Sequence, residues 1–204
     1  MNPDIVAITK RISDLCNSKD RVIVGIAGPP AAGKSTISAS LEAALADSVV
    51  LPMDGFHLDN QELDALNLRD RKGAPDTFDA DGFIDLVHAI KNRDDVVSVP
   101  EFDRSLDAVV NRGLVVAPRH RVILVEGNYL FLDKKPWNSL MPLFDLQIFL
   151  KPPLADIENR LLNRWREHGY SEQEAQAKAE MNDMPNARFV LVHSMNEKDA
   201  MVVT

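Results

Sequence analysis

The feature that most constrains this chain is the segment Gly-Pro-Pro-Ala-Ala-Gly-Lys-Ser-Thr at residues 28–36, which fits the pattern G-x-x-x-x-G-K-[ST] without a mismatch. A short β-branched run, Arg21–Ala27, precedes this segment, and a helical pattern rich in Ala and Leu, Ile37–Ala46, follows it. A polyphosphate needs several backbone N–H donors that converge on it, and glycine permits the torsion angles this requires. The following helix adds the positive end of its dipole. The segment therefore predicts a phosphate-binding loop between a strand and a helix.

Two residues of this segment carry groups that phosphate chemistry requires. Lys34 supplies a positive charge for the β- and γ-phosphates, and Ser35 supplies a hydroxyl group for magnesium, Mg²⁺. The alternative interpretation is an ordinary Gly/Pro turn that ends in Lys-Ser. The motif indicates nucleotide binding, and by itself it does not separate kinases from GTPases, motors or transporters.

The rest of the chain alternates between strand and helix patterns. Short apolar runs predict further strands at Ser48–Met53, Val96–Phe102, Leu114–Val116, Arg121–Val125 and Asp145–Leu150. Apolar residues at helical spacing, or a capping box, predict helices at Pro3–Asn17, Gly82–Asn92 and Pro153–His168 and after Ser171. The alternation predicts a three-layer α/β fold with a mainly parallel sheet, and the length of 204 residues predicts a single domain, residues 1–204.

The composition excludes several classes of protein. Hydrophobic residues make up 45% and charged residues 26% of the chain, which is typical of a globular protein and not of a disordered one. The net charge of −8 argues against non-specific binding to nucleic acid or to an anionic membrane. No apolar run approaches the roughly 18–20 residues of a membrane span, and the N-terminus lacks the apolar core of a secretory signal. The single Cys16 cannot form an intramolecular disulfide. We expect a cytoplasmic protein with no nucleic-acid or membrane partner.

Two acidic residues come at the ends of predicted strands. Asp54 ends Ser-Val-Val-Leu-Pro-Met-Asp and begins a long polar segment, whereas Glu126 ends Arg-Val-Ile-Leu-Val-Glu. Ligands of doubly wound sheets bind beyond the carboxyl ends of the strands. Phosphoryl transfer to an alcohol needs an acidic partner for the metal ion and a group that deprotonates the attacking hydroxyl. We therefore assign Asp54 as the general base and Glu126 as the metal-side carboxylate, acting through water. The alternative is that each acid only ends a strand or caps a turn.

Five segments together resemble the family of phosphoribulokinase, uridine kinase and type I pantothenate kinase. These segments are GPPAAGKST (28–36), MDGFH (53–57), RKGAPDTFD (71–79), PEFDR (100–104) and VEGNYL (125–130). The resemblance implies a P-loop NTPase fold with a five-stranded parallel sheet and a closing helical lid. It also implies ATP as co-substrate, Mg²⁺ as cofactor, and transfer of the γ-phosphoryl group to a hydroxyl of a small metabolite. As a whole, the pattern is similar to the bacterial fructose transport-system kinases.

The resemblance implies roles for individual residues. Asp54 matches the general base of the family, and Glu126 matches the acid of its E-G motif. The residues expected to bind the ATP phosphates are Gly28, Ala31, Ala32, Gly33, Lys34, Ser35 and Thr36, and Ser35 also matches the metal ligand. Lys34 is expected to take part in catalysis as well.

The acceptor side is expected to use His57, Arg71, Lys72, Phe102 and Arg104. RKGAP resembles the pantothenate kinase version of this segment, and Gly73 stands where uridine kinases have Asp, which counts against uridine. A sugar (fructose-like) or pantothenate-like acceptor is therefore favoured over a nucleoside. For His57, Arg71 and Lys72 the alternative interpretation is an exposed loop residue.

The predicted helix Pro153–His168 is rich in arginine. The lid of the family supplies arginines from this region, so Arg164 and Arg166 resemble catalytic lid residues, and we expect a lid at about residues 155–185. An arginine that reaches the transferred phosphoryl group neutralises charge that develops in the transition state. The alternative is a solvated basic face paired with Glu158 and Glu167.

The segment Asn-Asp-Met-Pro-Asn at residues 182–186 resembles the part of related kinases that packs around adenine. The residues expected to contact the base are Asn182, Asp183 and Asn186. The alternative is a turn, because Asn, Asp and Pro all favour turns.

The leading hypothesis is therefore an ATP-dependent kinase that acts on an alcohol group of a small hydroxylated metabolite. The rival is an ATPase or GTPase that acts as a switch or chaperone. A GTPase would need a guanine-reading motif, and Asn196-Glu-Lys-Asp199 does not have the order N-K-x-D. The identity of the acceptor and the oligomeric state, monomer or homodimer, stay open at this stage.

Overall fold

A computed structural model describes residues 3–92, 95–110, 113–194 and 200–204. The strands are β1 (Val22–Ala27), β2 (Ser48–Pro52), β3 (Val97–Ser98), β4 (Glu101–Asp103), β5 (Ala108–Val110), β6 (Val115–Val116), β7 (Val122–Gly127), β8 (Leu146–Leu150) and β9 (Met201–Val203). The α-helices are α1 (Pro3–Cys16), α2 (Lys34–Ala44), α3 (Asn60–Ala65), α4 (Ala80–Asn92), α5 (Leu154–Glu167), α6 (Glu172–Lys178) and α7 (Met184–His193). A π-helical turn, Ala179–Asp183, joins α6 to α7.

The central sheet has five parallel strands in the order β2-β7-β1-β8-β9. Every residue of β1 is buried, as expected for a parallel strand that is covered on both faces. The register places Ala27 beside Gly127 and Pro52 beside Glu126, so β1, β2 and β7 end at the same edge of the sheet. This sheet confirms the predicted α/β fold with a five-stranded parallel sheet.

Helices cover both faces of the sheet, which completes the three layers. Alternate residues of each strand face opposite cores: Ile23 packs in one and Val24 in the other. Apolar residues of α1 and α2, among them Ile8 and Leu41, fill the second core. The first core is filled by α4 and α7 and by a 3₁₀ segment, Trp137–Leu143.

Several elements differ from the sequence prediction. The predicted strand Val96–Phe102 is divided into β3 and β4, which pair with β6 and β5 in separate two-stranded antiparallel sheets. Pro100 lies between β3 and β4, and it has no N–H group for a continuous ladder. The segment after Asp54, which the sequence presents as a loop, contains α3 with a capping box formed by Asp59 and Glu62.

The turn suggested by Asn182 and Asn186 is not present. These residues lie in the π-helical turn and in α7, and Pro185 occupies the first turn of α7, where its missing N–H is tolerated. The capping box of Ser171 and Glu174 does open a helix, α6, as predicted. Asn196–Asp199 lies outside the described residues. Across the described ranges, no helix combines the length and the apolar character that a membrane crossing needs.

Candidate active site

The carboxyl edge of the sheet opens into a cleft of about 1160 Å³. One end, which we call the loop end, is formed by the phosphate-binding loop 28–36 together with Glu126 and Asn128. The other end, the hairpin end, is formed by Asp54, His57 and Lys72 and by residues 102–107 of the β4–β5 hairpin. Helix α5 and the π-helical turn Ala179–Asp183 form a further wall. The cleft therefore joins all five segments that carry the family resemblance.

Backbone geometry shapes the loop end. Gly33 has a φ of 95°, in the left-handed region that favours glycine, and α2 begins at the next residue, Lys34. At Gly28, an added Cβ would lie 2.7 Å from the carbonyl oxygen of Leu150, so a side chain there would collide with the backbone of β8. The two glycines therefore allow the loop to turn from β1 into the N-terminus of α2, where free N–H groups favour an anion.

Lys34 is held by the loop itself and by one residue beyond β7. Its Nζ donates to the carbonyl oxygens of Gly28 (3.1 Å) and Pro29 (2.9 Å) and to Oδ1 of Asn128 (2.6 Å). Burial lowers the pKa of Lys34 to about 8, although the nearby carboxylates of Glu126 and Asp54 act in the opposite direction. Asn128 is not among the residues predicted from the sequence, although it is the polar residue that follows the E-G pair directly.

Ser35 and Glu126 contact each other across the loop end. Ser35 Oγ lies 3.0 Å from Oε1 and 3.1 Å from Oε2 of Glu126, to which it donates. Burial raises the pKa of Glu126, while the hydrogen bond from Ser35 and the charge of Lys34 oppose this shift. The sequence-predicted hydroxyl and carboxylate thus lie together at the carboxyl end of β7.

These oxygens fit a magnesium ion. A hydroxyl and a carboxylate are hard ligands, and Mg²⁺ in nucleotide sites takes one or two protein oxygens and completes its shell with phosphates and water. Among the described residues, no three His, Cys, Asp or Glu side chains form a cluster that could hold a metal by protein ligands alone. The donor set therefore suits a cation that arrives with a polyphosphate.

Asp54 lies at the hairpin end, in a short 3₁₀ helix, Met53–Phe56, directly after β2. Met53 is fully buried and anchors this helix, while Asp54 lines the cleft. Asp54 Oδ2 accepts a hydrogen bond of 2.7 Å from Nη2 of Arg104. At Gly55 an added Cβ would collide with the carbonyl group of Pro100, so glycine allows the Asp54 segment to pack against the start of β4.

His57 is fixed between two aromatic rings. Its ring lies 4.1 Å from that of Phe78 and 4.4 Å from that of Phe102, measured between centroids. Its Nδ1 lies 2.7 Å from the carbonyl oxygen of Asp54. Burial lowers the pKa of His57. The histidine therefore supports the turn that presents Asp54, and it also lines the cleft.

Lys72 is enclosed by polar partners at the hairpin end. Its Nζ donates to Oδ1 of Asn60 (2.8 Å) and to Oδ1 of Asp107 (2.7 Å), and it lies 5.1 Å from the centre of the Phe102 ring. Asp107 lies in the turn of the hairpin with a φ of 49°. It is not among the residues predicted from the sequence. No local motif marks it, because its partner is 35 residues away.

The arginines of α5 have different surroundings. Arg160 Nη1 donates to the carbonyl oxygens of Ala31 (3.2 Å) and Ala32 (3.3 Å), so it packs on the phosphate-binding loop. Arg164 Nη2 donates to Oδ1 of Asp183 at 3.0 Å. Arg166 lies outside the cleft, where it pairs with Glu172 instead of the expected Glu158 or Glu167.

The segment expected near adenine reaches the hairpin end. Asn182 Nδ2 donates to the carbonyl oxygen of Lys72 (2.7 Å), and Asn186 Nδ2 donates to Oδ1 of Asn182 (3.1 Å). Asp183 Oδ2 accepts a hydrogen bond of 2.7 Å from the indole of Trp165, so this carboxylate joins α5 to the π-helical turn. The side chain of Asn182 therefore contacts the segment after α3, at Lys72, within the hairpin end of the cleft.

Most of the sequence-predicted site residues line one cleft. These are Ala31, Ala32, Gly33, Lys34, Ser35, Thr36, Asp54, His57, Lys72, Phe102, Arg104, Glu126, Arg164, Asn182, Asp183 and Asn186. Gly28 contributes its carbonyl oxygen to Lys34 from the base of the loop. Arg71 and Arg166 are not in the cleft lining, and Arg71 forms an exposed ion pair with Asp76 at 2.9 Å.

Comparisons with known proteins agree with this geometry. The profile of the Phosphoribulokinase / Uridine kinase family matches residues 23–203. A candidate uridine kinase of Schizosaccharomyces pombe, C227.14, is 34% identical over 92% of this chain and 87% of its own length. The pantothenate kinase of Mycolicibacterium vanbaalenii is 32% identical over 70% of this chain and 47% of its own length. A solved structure, a candidate fructose transport system kinase from Silicibacter sp. TM1040, is 37% identical, covers 98% of both chains and has a TM-score of 0.90.

The chain therefore belongs to the phosphoribulokinase/uridine kinase family. Its fold is that of the P-loop kinases, and it is an ATP-dependent phosphotransferase that acts on an alcohol group of a small molecule. These findings confirm the family and the enzyme class predicted from the five segments.

Proposed function

We propose that this kinase transfers the γ-phosphoryl group of Mg²⁺-bound ATP to a sugar (fructose-like) or pantothenate-like acceptor. The observation that carries the proposal is that Asp54 lines the same cleft as the phosphate-binding loop. Asp54 also lies near enough to Lys34 for its negative charge to favour a higher pKa of that lysine. A base at one end and an anion cradle at the other match the needs of phosphoryl transfer to an alcohol.

The loop end holds the triphosphate in this proposal. The N–H groups of the loop and of the first turn of α2 donate to the phosphate oxygens, and Lys34 exchanges its contacts with Gly28 and Pro29 for the β- and γ-phosphates. Ser35 and Glu126 hold the magnesium ion, Glu126 through water. Bound magnesium neutralises part of the phosphate charge.

The reaction needs a proton acceptor at the hairpin end. The acceptor hydroxyl attacks the γ-phosphorus, the bond between the γ-phosphorus and the bridging oxygen breaks, and ADP leaves with the electron pair of that bond. Asp54 takes the proton of the hydroxyl. Since the transition state is loose, the proton leaves late and an ordinary carboxylate is a sufficient base.

We further infer that residues 1–204 act as one kinase domain whose lid spans about residues 155–185. Arg160 already contacts the loop, and Arg164 lines the cleft from the same helix, so closure of this segment would bring both towards the phosphates. Arg166 pairs with Glu172 on the outer side and is the weaker candidate for a catalytic lid residue. The single cysteine, Cys16, suits the reducing cytoplasm.

The experiment that tests this function is an acceptor screen. Purified protein with Mg²⁺ and ATP is incubated with sugars, vitamin precursors and nucleosides, and release of ADP is followed. We expect slow hydrolysis without an acceptor and a rise of at least about 100-fold with a sugar or a pantothenate-like compound. Rapid hydrolysis that no acceptor changes would support the rival, a nucleotide-dependent switch.

A further inference from the structure

The charges at the hairpin end restrict the chemistry of the acceptor. Three acids that line this part of the cleft each contact a basic side chain. The pairs are Asp54 with Arg104, Asp107 with Lys72, and Asp183 with Arg164. These three acids are thus already partly neutralised by the protein, and Asp70, next to Arg69, lines the cleft as a further acid. The question is which basic group has donors left for a ligand.

Lys72 has few donors to offer. An ammonium group has three N–H bonds, and those of Lys72 meet Asn60, the Asp107 carboxylate and the Asp107 carbonyl. Its side chain is only 15% exposed. Lys72 therefore holds the hairpin turn against the segment after α3, and its charge is balanced by Asp107.

Arg104 is in the opposite situation. Its side chain is 67% exposed and lines the cleft. Within the described parts of the chain, the hydrogen bond recorded for its guanidinium is the one from Nη2 to Asp54. A guanidinium carries five N–H bonds in a planar fork that matches a carboxylate or phosphate. Most of this fork is therefore available to a ligand.

We propose that the acceptor carries an anionic group, a carboxylate or a phosphate, near the hydroxyl that is phosphorylated, and that Arg104 binds this group. The inference rests on the proposed function because it takes Asp54 as the base. Since Asp54 and Arg104 contact each other at 2.7 Å, a hydroxyl at Asp54 and an anion at Arg104 must belong to neighbouring parts of one small molecule. Arg104 is then the residue that selects a hydroxy acid or a sugar phosphate over a neutral polyol.

A second cation, Arg69, lines the same cleft and is proposed to add to this selection. Its ion pair with Asp64 is long, at 3.8 Å, and exposed. Exposed pairs of this kind contribute little to stability, so an anionic ligand can replace Asp64 at small cost. A neutral acceptor gains less from either arginine, because a hydrogen bond from a guanidinium to a neutral oxygen is weaker than one to an anion.

The test uses acceptors in pairs that share a carbon skeleton and differ in charge. The pairs are glycerate and glycerol, and fructose 6-phosphate and fructose. We expect kcat/KM to be at least about 30-fold higher for the anionic member of the pair that is used best, since charged hydrogen bonds are the strong ones. Arg104→Gln should lower kcat/KM for that anion by about 100-fold and for its neutral partner by less than about 5-fold. Arg104→Lys should restore part of the loss.

The matched control is Arg119→Gln. Arg119 is an exposed arginine in the turn before β7, at the amino edge of the sheet and so at the opposite end from the cleft. Arg119→Gln makes the same chemical change as Arg104→Gln, and it should alter kcat/KM for neither the anionic nor the neutral acceptor. Preference for the neutral member in every pair, or an equal loss for both members in Arg104→Gln, would overturn the inference while leaving the kinase function intact. Absence of acceptor-dependent ADP release would count against the proposed function itself.

A binding measurement makes the inference independent of the acceptor panel. With the loop occupied by Mg²⁺ and a non-hydrolysable ATP analogue, malonate should raise the Tm of the wild-type protein and of Arg119→Gln, but not that of Arg104→Gln. An equal shift in all three proteins would show that the anion binds elsewhere, and it would contradict the assignment of Arg104.

Discussion

The phosphate-binding loop 28–36 and the hairpin end of the cleft are assembled from contacts of different sequence range. At the loop end, Lys34 reaches carbonyl oxygens only 5 and 6 residues away. At the hairpin end, Arg104 and Asp54 are 50 residues apart, and Asn182 and Lys72 are 110 residues apart. The loop itself forms wherever the local motif folds, and distant packing adds Asn128 and Glu126, which are 94 and 91 residues from Lys34 and Ser35. The hairpin end exists only after distant segments have packed.

This difference explains how one family can serve several acceptors. The phosphate-binding loop is proposed to bind a part of ATP that is common to every kinase, and its own groups come from the contiguous segment 28–36. The hairpin end is formed by exposed loops and by a two-stranded sheet outside the central one. Changes there can alter the acceptor without disturbing the phosphate-binding loop. The substitutions that follow test whether a change at one end of the cleft leaves the other end unaffected.

The largest effect is expected from Asp54→Asn. Loss of a general base should lower kcat by about 10³-fold or more, while the Kd for ATP should change by no more than about 3-fold because the loop end is intact. Stopped assays give kcat, and equilibrium titration with labelled ATP gives Kd. Asp85→Asn, in an exposed acid of α4 outside the cleft lining, is the matched control and should behave like wild type. Turnover near the wild-type rate in Asp54→Asn would remove this residue from the mechanism.

Lys34→Ala should act at the other end of the cleft. We expect the Kd for ATP to rise by about 100-fold, because the partly buried cation proposed to contact the phosphates is lost. Lys10→Ala, at an exposed position of α1, controls for the loss of one positive charge. Unchanged affinity for labelled ATP in Lys34→Ala would contradict the role assigned to the loop.

ATP affinity should depend on pH through Lys34. Its pKa is about 8 in the free protein, and bound phosphates favour the charged form and raise it. ATP binding therefore takes up a proton above pH 8, and the Kd should rise with pH there by up to about 10-fold per pH unit. Calorimetric titrations between pH 7 and 9.5 measure this slope. In Lys34→Arg the dependence of Kd on pH should disappear, since arginine does not titrate in this range. A Kd for ATP that does not change with pH in the wild-type protein would refute the role assigned to Lys34.

The smallest effect is expected from Asn182→Ala, which probes the link between the two walls of the hairpin end. Loss of the hydrogen bond to the Lys72 carbonyl should raise the KM for the acceptor by about 5-fold, in keeping with one hydrogen bond, and leave the KM for ATP unchanged. Initial-rate kinetics separate the two constants. Gln176→Ala, on the exposed face of α6, is the control. A rise in the KM for ATP instead would favour the base-contacting role expected from the sequence.

The sequence predicts the phosphate-binding loop 28–36 well because its physics is local. Gly33, Lys34 and Ser35 follow one another, and their task is set by the strand before them and the helix after them. The capping box at Ser171 is predicted correctly for the same reason. Local patterns of this kind require no knowledge of how distant segments pack.

The hairpin end could be predicted only in part. The sequence identifies Asp54 and Arg104, yet their contact depends on the packing of the segment after β2 against β4. Asp107 carries no local signal for its pairing with Lys72, and Arg71 precedes Lys72 directly although only Lys72 enters the cleft. Strand β9 has three residues and no periodicity long enough to detect.

Gly55 limits which residues can be changed in a redesign of the acceptor preference. Because any side chain at this position meets the backbone at Pro100, a substitution would push β4 away and carry Arg104 away from Asp54. A mutant library aimed at new substrates should therefore vary neighbouring residues such as 69 and keep residues 55, 57 and 104 constant, so that the carboxylate of Asp54 and the guanidinium of Arg104 stay in contact.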